Sequence, residues 1–90
     1  MFEFDPDKSA SNMAKHGIDF DAAQRLWDDE RLLQVRARDG AVSEPRWLAV
    51  GLIDGRHWSA IFTVRENAIR LISVRRSRAE EVKLYEQEEF

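Results

Sequence analysis

Residues 46–76 decide the fold, and they read RWLAVGLIDGRHWSAIFTVRENAIRLISVRR. Three largely apolar runs are separated by Asp54-Gly55 and Glu66-Asn67, and an Asp-Gly pair between apolar runs is a strong hairpin signal. We predict strands at about 46–53, 56–65 and 68–75, joined by two-residue turns. In that register Gly51 faces Trp58, and the glycine leaves room for the ring.

The residues before this stretch predict helices. Phe2-Glu3-Phe4 alternates and fits a short edge strand. Asp5-Pro6 is typical of an N-cap followed by the first helical residue, and Gly17 is a natural left-handed terminator. Asp19 can cap a second, short helix. We therefore expect two N-terminal helices, the first extending to about Lys15.

One further strand and one further helix complete the prediction. Residues 33–38 alternate between apolar and polar, and Asp39-Gly40 marks a turn after them. Ser77-Arg78-Ala79-Glu80 fits a capping box that opens a C-terminal helix. The predicted fold class is α+β, with N-terminal helices packed on an antiparallel sheet of about four to five strands.

The two faces of the sheet differ in character. The face that we expect to pack on the helices sets large rings against small residues and continues through Val64, Ile69 and Leu71. We expect Trp47 and Trp58 to fill that core, although exposed rings could also stack on bases. The predicted opposite face carries Leu48, Val50, Ile61, Ile72 and Val74, with Arg46, Thr63, Arg70 and Arg76 toward one end.

Composition excludes several classes of protein. The chain has 90 residues, 43% of them apolar, which suits one domain over residues 1–90. It has no cysteine and no apolar run near the 18–20 residues of a membrane span. The N-terminal residues lack the features of a secretory signal. We expect a cytoplasmic protein without disulfides.

Charge is strongly segregated along the chain. The net charge is −3, but residues 46–78 carry a balance of +5 between flanks of −4 each. Arginine outnumbers lysine eleven to three. The planar guanidinium suits phosphate and carboxylate, so the middle of the chain predicts an anion site. The alternative is that these arginines form ordinary surface salt bridges.

RNA cleavage, the activity that the family resemblance given below implies, would require three kinds of group if no metal takes part. These are a base for the 2′-hydroxyl, cations for the charge on the phosphorane, and an acid for the leaving 5′-oxygen. The sequence offers two histidines and no carboxylate cluster beside them, so a metal route is disfavoured and no cofactor is expected. The candidate cations are Arg46, Arg65, Arg70, Arg75 and Arg76.

Four other residues are candidates, each with a structural alternative. His16 lies at a helix C-terminus, where it could act as acid or phosphate contact, or simply cap the last carbonyls. Lys15 could bind phosphate or be solvated. Glu81 and Tyr85 are four residues apart on one helix face. Tyr85 could stack on a base, donate a proton or anchor the helix.

The combination of segments resembles the BrnT family, toxins of bacterial type II toxin–antitoxin modules. The resemblance covers nearly the whole chain, and its motifs fall into an N-terminal, a central and a C-terminal group. These are Phe4-Asp5, Lys8, Asn12, Lys15-His16-Gly17-Ile18, Phe20 and Ala23; Glu44-x-Arg46, Gly51, Thr63-x-Arg65 and Ile69-Arg70-Leu71-Ile72-Ser73-x-Arg75-Arg76; and Glu81 with Tyr85.

The resemblance implies a RelE-like fold and an endoribonuclease that inhibits translation. It implies an RNA substrate, with Thr63 and Ser73 joining Lys15 and Arg46 as RNA-binding residues. It also implies a cognate BrnA-like, DNA-binding antitoxin that forms a hetero-oligomer with the toxin and alone contacts operator DNA. Two other readings stay open: a non-catalytic nucleic-acid- or antitoxin-binding module of the same fold, and a protein-interaction domain with an acidic partner.

Overall fold

The computed structural model describes residues 1–37 and 44–87. In these residues five strands form one sheet in the order β1-β5-β4-β3-β2, with three α-helices and one 3₁₀ helix. The Asp39-Gly40 turn lies outside the described residues. The elements are β1 (Phe2–Glu3), α1 (Pro6–His16), α2 (Phe20–Ala23), the 3₁₀ helix (Gln24–Asp28), β2 (Leu33–Arg36), β3 (Trp47–Ile53), β4 (Arg56–Arg65), β5 (Ala68–Arg76) and α3 (Ala79–Glu86).

Two tight turns set the register of the central hairpins. Asp54 and Gly55 have φ values of 51° and 80°, and Glu66 and Asn67 have φ values of 48° and 71°. Two consecutive positive φ angles define the turn whose twist matches paired strands. Gly51 pairs with Trp58, as the sequence predicts. Both predicted two-residue turns are confirmed.

The sheet is mixed, whereas the sequence predicts an antiparallel one. Strands β2 to β5 pair antiparallel, but β1 runs parallel to β5, with Phe2 opposite Ile69. No hairpin constrains β1, because the helices and three strands separate it from β5 along the chain. The α+β class is confirmed, with this difference at one edge.

Both N-terminal helices begin where the sequence predicts, and α1 ends close to the predicted Lys15. The Asp5 carboxylate accepts from the Asp7 amide at 2.9 Å, and the Asp19 carboxylate accepts from the Ala22 amide at 2.8 Å. Gly17 ends α1 with a φ of 80°. Among the described residues, every helix is too short or too polar to cross a lipid bilayer.

The start of α3 is one residue later than predicted. Glu81, not Glu80, accepts from the amide of the N-cap residue Arg78, at 2.9 Å. The predicted cap, Ser77, instead places its hydroxyl 2.7 Å from that of Ser59 on β4. Packing against the sheet therefore overrides the local capping pattern.

The hydrophobic core lies between the helices and one face of the sheet. Phe20, Ala23 and Leu26 are fully buried there. Trp58 belongs to this core and Trp47 packs against it, which confirms that both rings fill the core. Val64 is half exposed at the margin of the face. The sheet residues of the core are Ala49, Ile53, Trp58, Ala60, Phe62, Leu71 and Val74.

A β-bulge in β5 changes the face assignments of its second half. Ile61 pairs with Ser73 but Phe62 pairs with Leu71, so Ile72 is the extra residue. Val74 consequently points into the core and is fully buried. The expectation that Val74 and Arg76 share the face of Arg70 is wrong, because one extra residue inverts the alternation.

Candidate functional site

Six side chains of lysine, arginine or histidine line one groove, which we call the cationic groove. It lies between α1 and the sheet face opposite the core, the outer face, marked on β4 by Ser59, Ile61 and Thr63. It comprises a cavity of about 530 Å³ and a recess of about 160 Å³, which share Lys8 and Ile72. The six side chains are Lys8, Lys15, His16, Arg46, Arg65 and Arg70.

The position of α1 depends on one buried amide. Asn12 donates to the carbonyls of Ile18 and Val74, each at 2.8 Å, and accepts from the Val74 amide at 3.1 Å. Its side chain thus pairs with β5 as a neighbouring strand would, beyond the end of β1. This contact sets Lys15 and His16, at the end of α1, beside Ser73 in the recess.

Segment 44–46 forms the opposite wall of the cationic groove. The Thr63 hydroxyl donates to the Pro45 carbonyl at 2.8 Å and is buried. Arg65 donates from Nε and Nη2 to the two carboxylate oxygens of Glu44, at 2.8 and 2.9 Å. Hydrogen bonds from Arg65 lower the pKa of Glu44, and Glu44 in turn raises the pKa of Arg65. Glu44 therefore stays ionised and is a weak base.

Arg70 is held more loosely than Arg65. Its Nη1 lies 3.3 Å from the Glu3 carboxylate, on the neighbouring strand β1, and a third of its side chain is exposed. Arg70 pairs with Thr63 across the sheet, so both belong to the outer face. The guanidinium retains N–H groups with which it can bind an incoming anion.

Arg75 on β5 and Glu81 on α3 form a pair outside the cationic groove. Arg75 donates from Nη1 and Nη2 to the two Glu81 oxygens, both at 2.8 Å. Ser59 and the Arg78 amide also donate to Glu81, at 2.8 and 2.9 Å. The bonds from Arg75, opposed by burial, lower the pKa of Glu81 to about 2. This carboxylate remains ionised at neutral pH.

Tyr85 anchors α3 to Asp29, the residue that follows the 3₁₀ helix. Its hydroxyl donates to the Asp29 carboxylate at 2.7 Å, and the side chain is buried. Burial, together with the bond to Asp29, raises the pKa of Tyr85 to about 12. Beside it, His57 packs edge-on against the Tyr85 ring and lies 2.8 Å from Glu86. The predicted role of Tyr85 as a helix anchor matches these contacts.

Arg76 lies on the other side of the sheet from Arg70. Its guanidinium is 5.5 Å from the centre of the Trp58 ring, and Nε donates to the His57 carbonyl at 3.3 Å. The structure therefore groups Lys15, His16, Arg46, Arg65, Arg70 and Ser73 around one groove. It pairs Arg75 with Glu81 of α3, joins Tyr85 of α3 to Asp29, and sets Arg76 against Trp58.

Sequence reasoning left out two charged residues of the cationic groove, Lys8 and Glu44, and also Asp29, the hydrogen-bond partner of Tyr85. Lys8 lies seven residues before Lys15, a spacing that puts both on one helix face and could have revealed it. The sequence indicates Glu44 only as part of the motif Glu44-x-Arg46. Asp29 accepts from the Leu52 amide as well as from Tyr85, and no pattern in its acidic surroundings indicates this. Among the described residues, no group of three or more metal-ligating side chains is placed to hold an ion.

The fold and groove define a small α+β protein that gathers cationic side chains around one groove. The family model described as "Ribonuclease toxin, BrnT, of type II toxin-antitoxin system" matches residues 4–81 of this chain. The chain therefore belongs to the BrnT family of ribonuclease toxins, as its motifs predict. Membership of a type II toxin–antitoxin family implies an antitoxin partner. No curated protein matches the chain.

Proposed function

We propose that this chain is an endoribonuclease toxin that inhibits translation by cleaving RNA, with the scissile phosphate bound in the cationic groove. The observation that carries the proposal is the convergence of α1, segment 44–46, β4 and β5 on one cluster of cationic side chains. Family membership supplies the class of activity. The RelE-like architecture that the resemblance implies stays a prediction.

The chemistry that suits this groove is attack by the 2′-hydroxyl of the RNA on the adjacent phosphate. The hydroxyl gives up its proton to solvent, a 2′,3′-cyclic phosphate forms, and the bond to the 5′-oxygen breaks. Arg46, Arg65 and Arg70 would stabilise the charge that develops on the phosphorane, the task for which preorganised cations are most effective. His16 is the titratable ring of the adjoining recess and would protonate the leaving 5′-oxygen or hold the phosphate. The proposal includes independence from metal ions.

The remaining predicted residues serve this site less directly. Arg75 is hydrogen-bonded to Glu81, and Tyr85 is hydrogen-bonded to Asp29. Because Glu81 and Tyr85 belong to α3, this helix would have to move before these residues reached RNA. Arg76 faces Trp58. We assign binding and charge stabilisation first to the groove residues, with Lys15 and Ser73 contacting the RNA backbone beside His16.

The proposed partners follow from the family. A BrnA-like, DNA-binding antitoxin would form a hetero-oligomer with this chain in the cytoplasm and would alone contact operator DNA. RNA and any acidic segment of that antitoxin would compete for the cationic groove. The antitoxin would therefore need to cover this groove in order to neutralise the toxin.

The test is cleavage of a synthetic RNA by the purified chain, freed of antitoxin, with and without EDTA. We expect cleavage in both conditions, and a fall of about 10²–10³-fold in Arg70→Ala, the loss typical of one anion-stabilising donor. Arg25→Ala is the matched control, because Arg25 is also paired with a carboxylate but lies outside the groove. Cleavage abolished by EDTA would contradict metal independence, and wild-type cleavage by Arg70→Ala would contradict the site.

A non-catalytic RNA-binding module is the second candidate. One observation favours it: Glu81 and Tyr85, two of the candidate catalytic residues, are engaged in hydrogen bonds with Arg75 and Asp29. This reading predicts RNA binding that depends on Arg70 without any cleavage in the same assay. A protein-interaction domain would instead bind its acidic partner and show no affinity for RNA at low salt.

A further inference from the structure

The pair formed by Glu44 and Arg65 brings a carboxylate into a groove that otherwise attracts anions. Glu44 lines the cationic groove together with Arg46, Arg65 and Arg70. A negative charge there weakens the attraction of the groove for RNA. Since it opposes binding, Glu44 must be explained by something other than affinity.

The geometry of the pair suggests what Glu44 does. Glu44 engages the Nε–Nη2 edge of Arg65, with bonds of 2.8 and 2.9 Å. These bonds use two of the five N–H groups of the guanidinium. Within residues 1–37 and 44–87, Nη1 of Arg65 makes no hydrogen bond, so the Nη1–Nη2 edge stays open to a phosphate. The Glu44 carboxylate fixes the plane of the Arg65 guanidinium and leaves the N–H groups of the Nη1–Nη2 edge available to a ligand.

The backbone that carries Glu44 is itself fixed. Thr63 holds the Pro45 carbonyl at 2.8 Å, and the Ala37 amide donates to the Arg46 carbonyl at 2.8 Å. Segment 44–46 is thereby tied to β4 on one side and to the end of β2 on the other. Glu44 thus approaches Arg65 from a defined position.

We propose that Glu44 is a positioning residue, which orients Arg65 so that the free edge of its guanidinium meets the scissile phosphate. The inference rests on the proposed function of the cationic groove and adds a residue to it. Arginine has several rotatable bonds, and a misplacement of about 1 Å in a catalytic group can cost about 10²-fold in rate. Holding the fork before RNA arrives therefore raises kcat, although the carboxylate weakens RNA binding.

Two substitutions separate orientation from charge. Glu44→Gln removes the negative charge, and Glu44→Asp keeps it but shortens the side chain by one methylene group. We expect kcat for cleavage of a short RNA to fall about tenfold in both variants. The dissociation constant of a 2′-O-methyl RNA, which lacks the attacking hydroxyl, should fall about threefold in Glu44→Gln only.

The matched control is Asp54→Asn. Asp54 also forms a two-bond pair, with Nη1 and Nη2 of Arg25 at 3.0 and 2.7 Å, on an exposed turn outside the groove, and asparagine tolerates its positive φ. Asp54→Asn should keep the wild-type kcat and dissociation constant. An equal loss of kcat in Asp54→Asn and Glu44→Gln would overturn the proposal.

The remaining outcomes distinguish this inference from the function on which it rests. Wild-type kcat in Glu44→Gln or in Glu44→Asp would overturn the positioning role. If Arg65→Ala is inactive while both Glu44 variants are fully active, only the inference fails. If Arg65→Ala and Arg70→Ala both cleave RNA at the wild-type rate, the assignment of the groove as the catalytic site fails with it.

Discussion

Glu81 is a buried carboxylate surrounded by four hydrogen-bond donors, and its charge stabilises the fold. The donors are both terminal nitrogens of Arg75, the Ser59 hydroxyl and the Arg78 amide. With a pKa of about 2 in the folded state against 4.5 normally, the carboxylate contributes at most about 3 kcal/mol above pH 4.5. Because the folded pKa is the lower one, this contribution is lost as the pH falls from about 4.5 to 2.

Glu81→Gln should therefore lower the free energy of unfolding at pH 7 by up to about 3 kcal/mol. The difference from wild type should shrink as the pH falls and nearly vanish at pH 2, measured by urea unfolding across this range. Glu80→Gln, on the exposed side of the same helical turn, is the control and should change little. A difference between wild type and Glu81→Gln that is the same at pH 7 and pH 2 would contradict this account.

At the residue scale, sequence indicates residue types better than partners. The arginine excess predicts an anion site, and Arg46, Arg65 and Arg70 line one groove. The sequence cannot show that Arg75 is paired with Glu81, because that pairing forms only when α3 packs against the sheet. Gly51 illustrates the same limit: a Cβ there would lie 2.8 Å from Leu32 and 3.1 Å from Asp29, not against the Trp58 ring.

At the element scale, α1 and β5 are joined by the amide of Asn12. It supplies a donor and an acceptor to Val74 and a second donor bond to Ile18, all buried. Asn12→Asp keeps the shape but sets a carboxylate oxygen against two carbonyls. We expect the free energy of unfolding to fall by at least about 2 kcal/mol, measured by urea unfolding at pH 7.

The control for Asn12→Asp is Met13→Ala, the neighbouring position on α1, whose side chain is half exposed. It should shift the free energy of unfolding much less, because alanine favours helix and little apolar contact is lost. Equal destabilisation by the two substitutions would mean that general weakening of α1, rather than the three bonds of Asn12, explains the effect.

Local signals predicted most of the elements but not the geometry of β5. Caps at Asp5 and Asp19, the terminator Gly17 and the two-residue turns each depend on neighbouring residues, so the sequence contains them. The bulge at Ile72 depends on how β5 meets both β4 and α1, and no turn residue marks it. One extra residue there moves Val74 into the core and Arg76 away from Arg70.

At the scale of the whole molecule, charge segregation in sequence becomes charge segregation in space. The chain is acidic overall, with a net charge of −3, yet α1 and the outer face of the sheet gather cations around one groove. A local field of this kind can attract RNA despite the negative net charge. Salt screens the repulsion from acidic residues that lie farther away than the Debye length of about 8 Å.

Family membership and the groove together predict a phenotype. Expression of this chain alone in bacteria should arrest growth, and co-expression of its antitoxin should restore growth, because the antitoxin would cover the surface that RNA needs. Arg70→Ala should relieve the arrest without antitoxin, since it removes charge stabilisation and breaks only a partly exposed ion pair with Glu3. Arg25→Ala should remain toxic, as its exposed pair with Asp54 lies outside the groove. The measurement is the growth rate after induction, with immunoblots confirming equal protein levels. Healthy growth at high levels of the wild-type chain would contradict the toxin assignment, whereas toxicity retained by Arg70→Ala would contradict only the role of the groove.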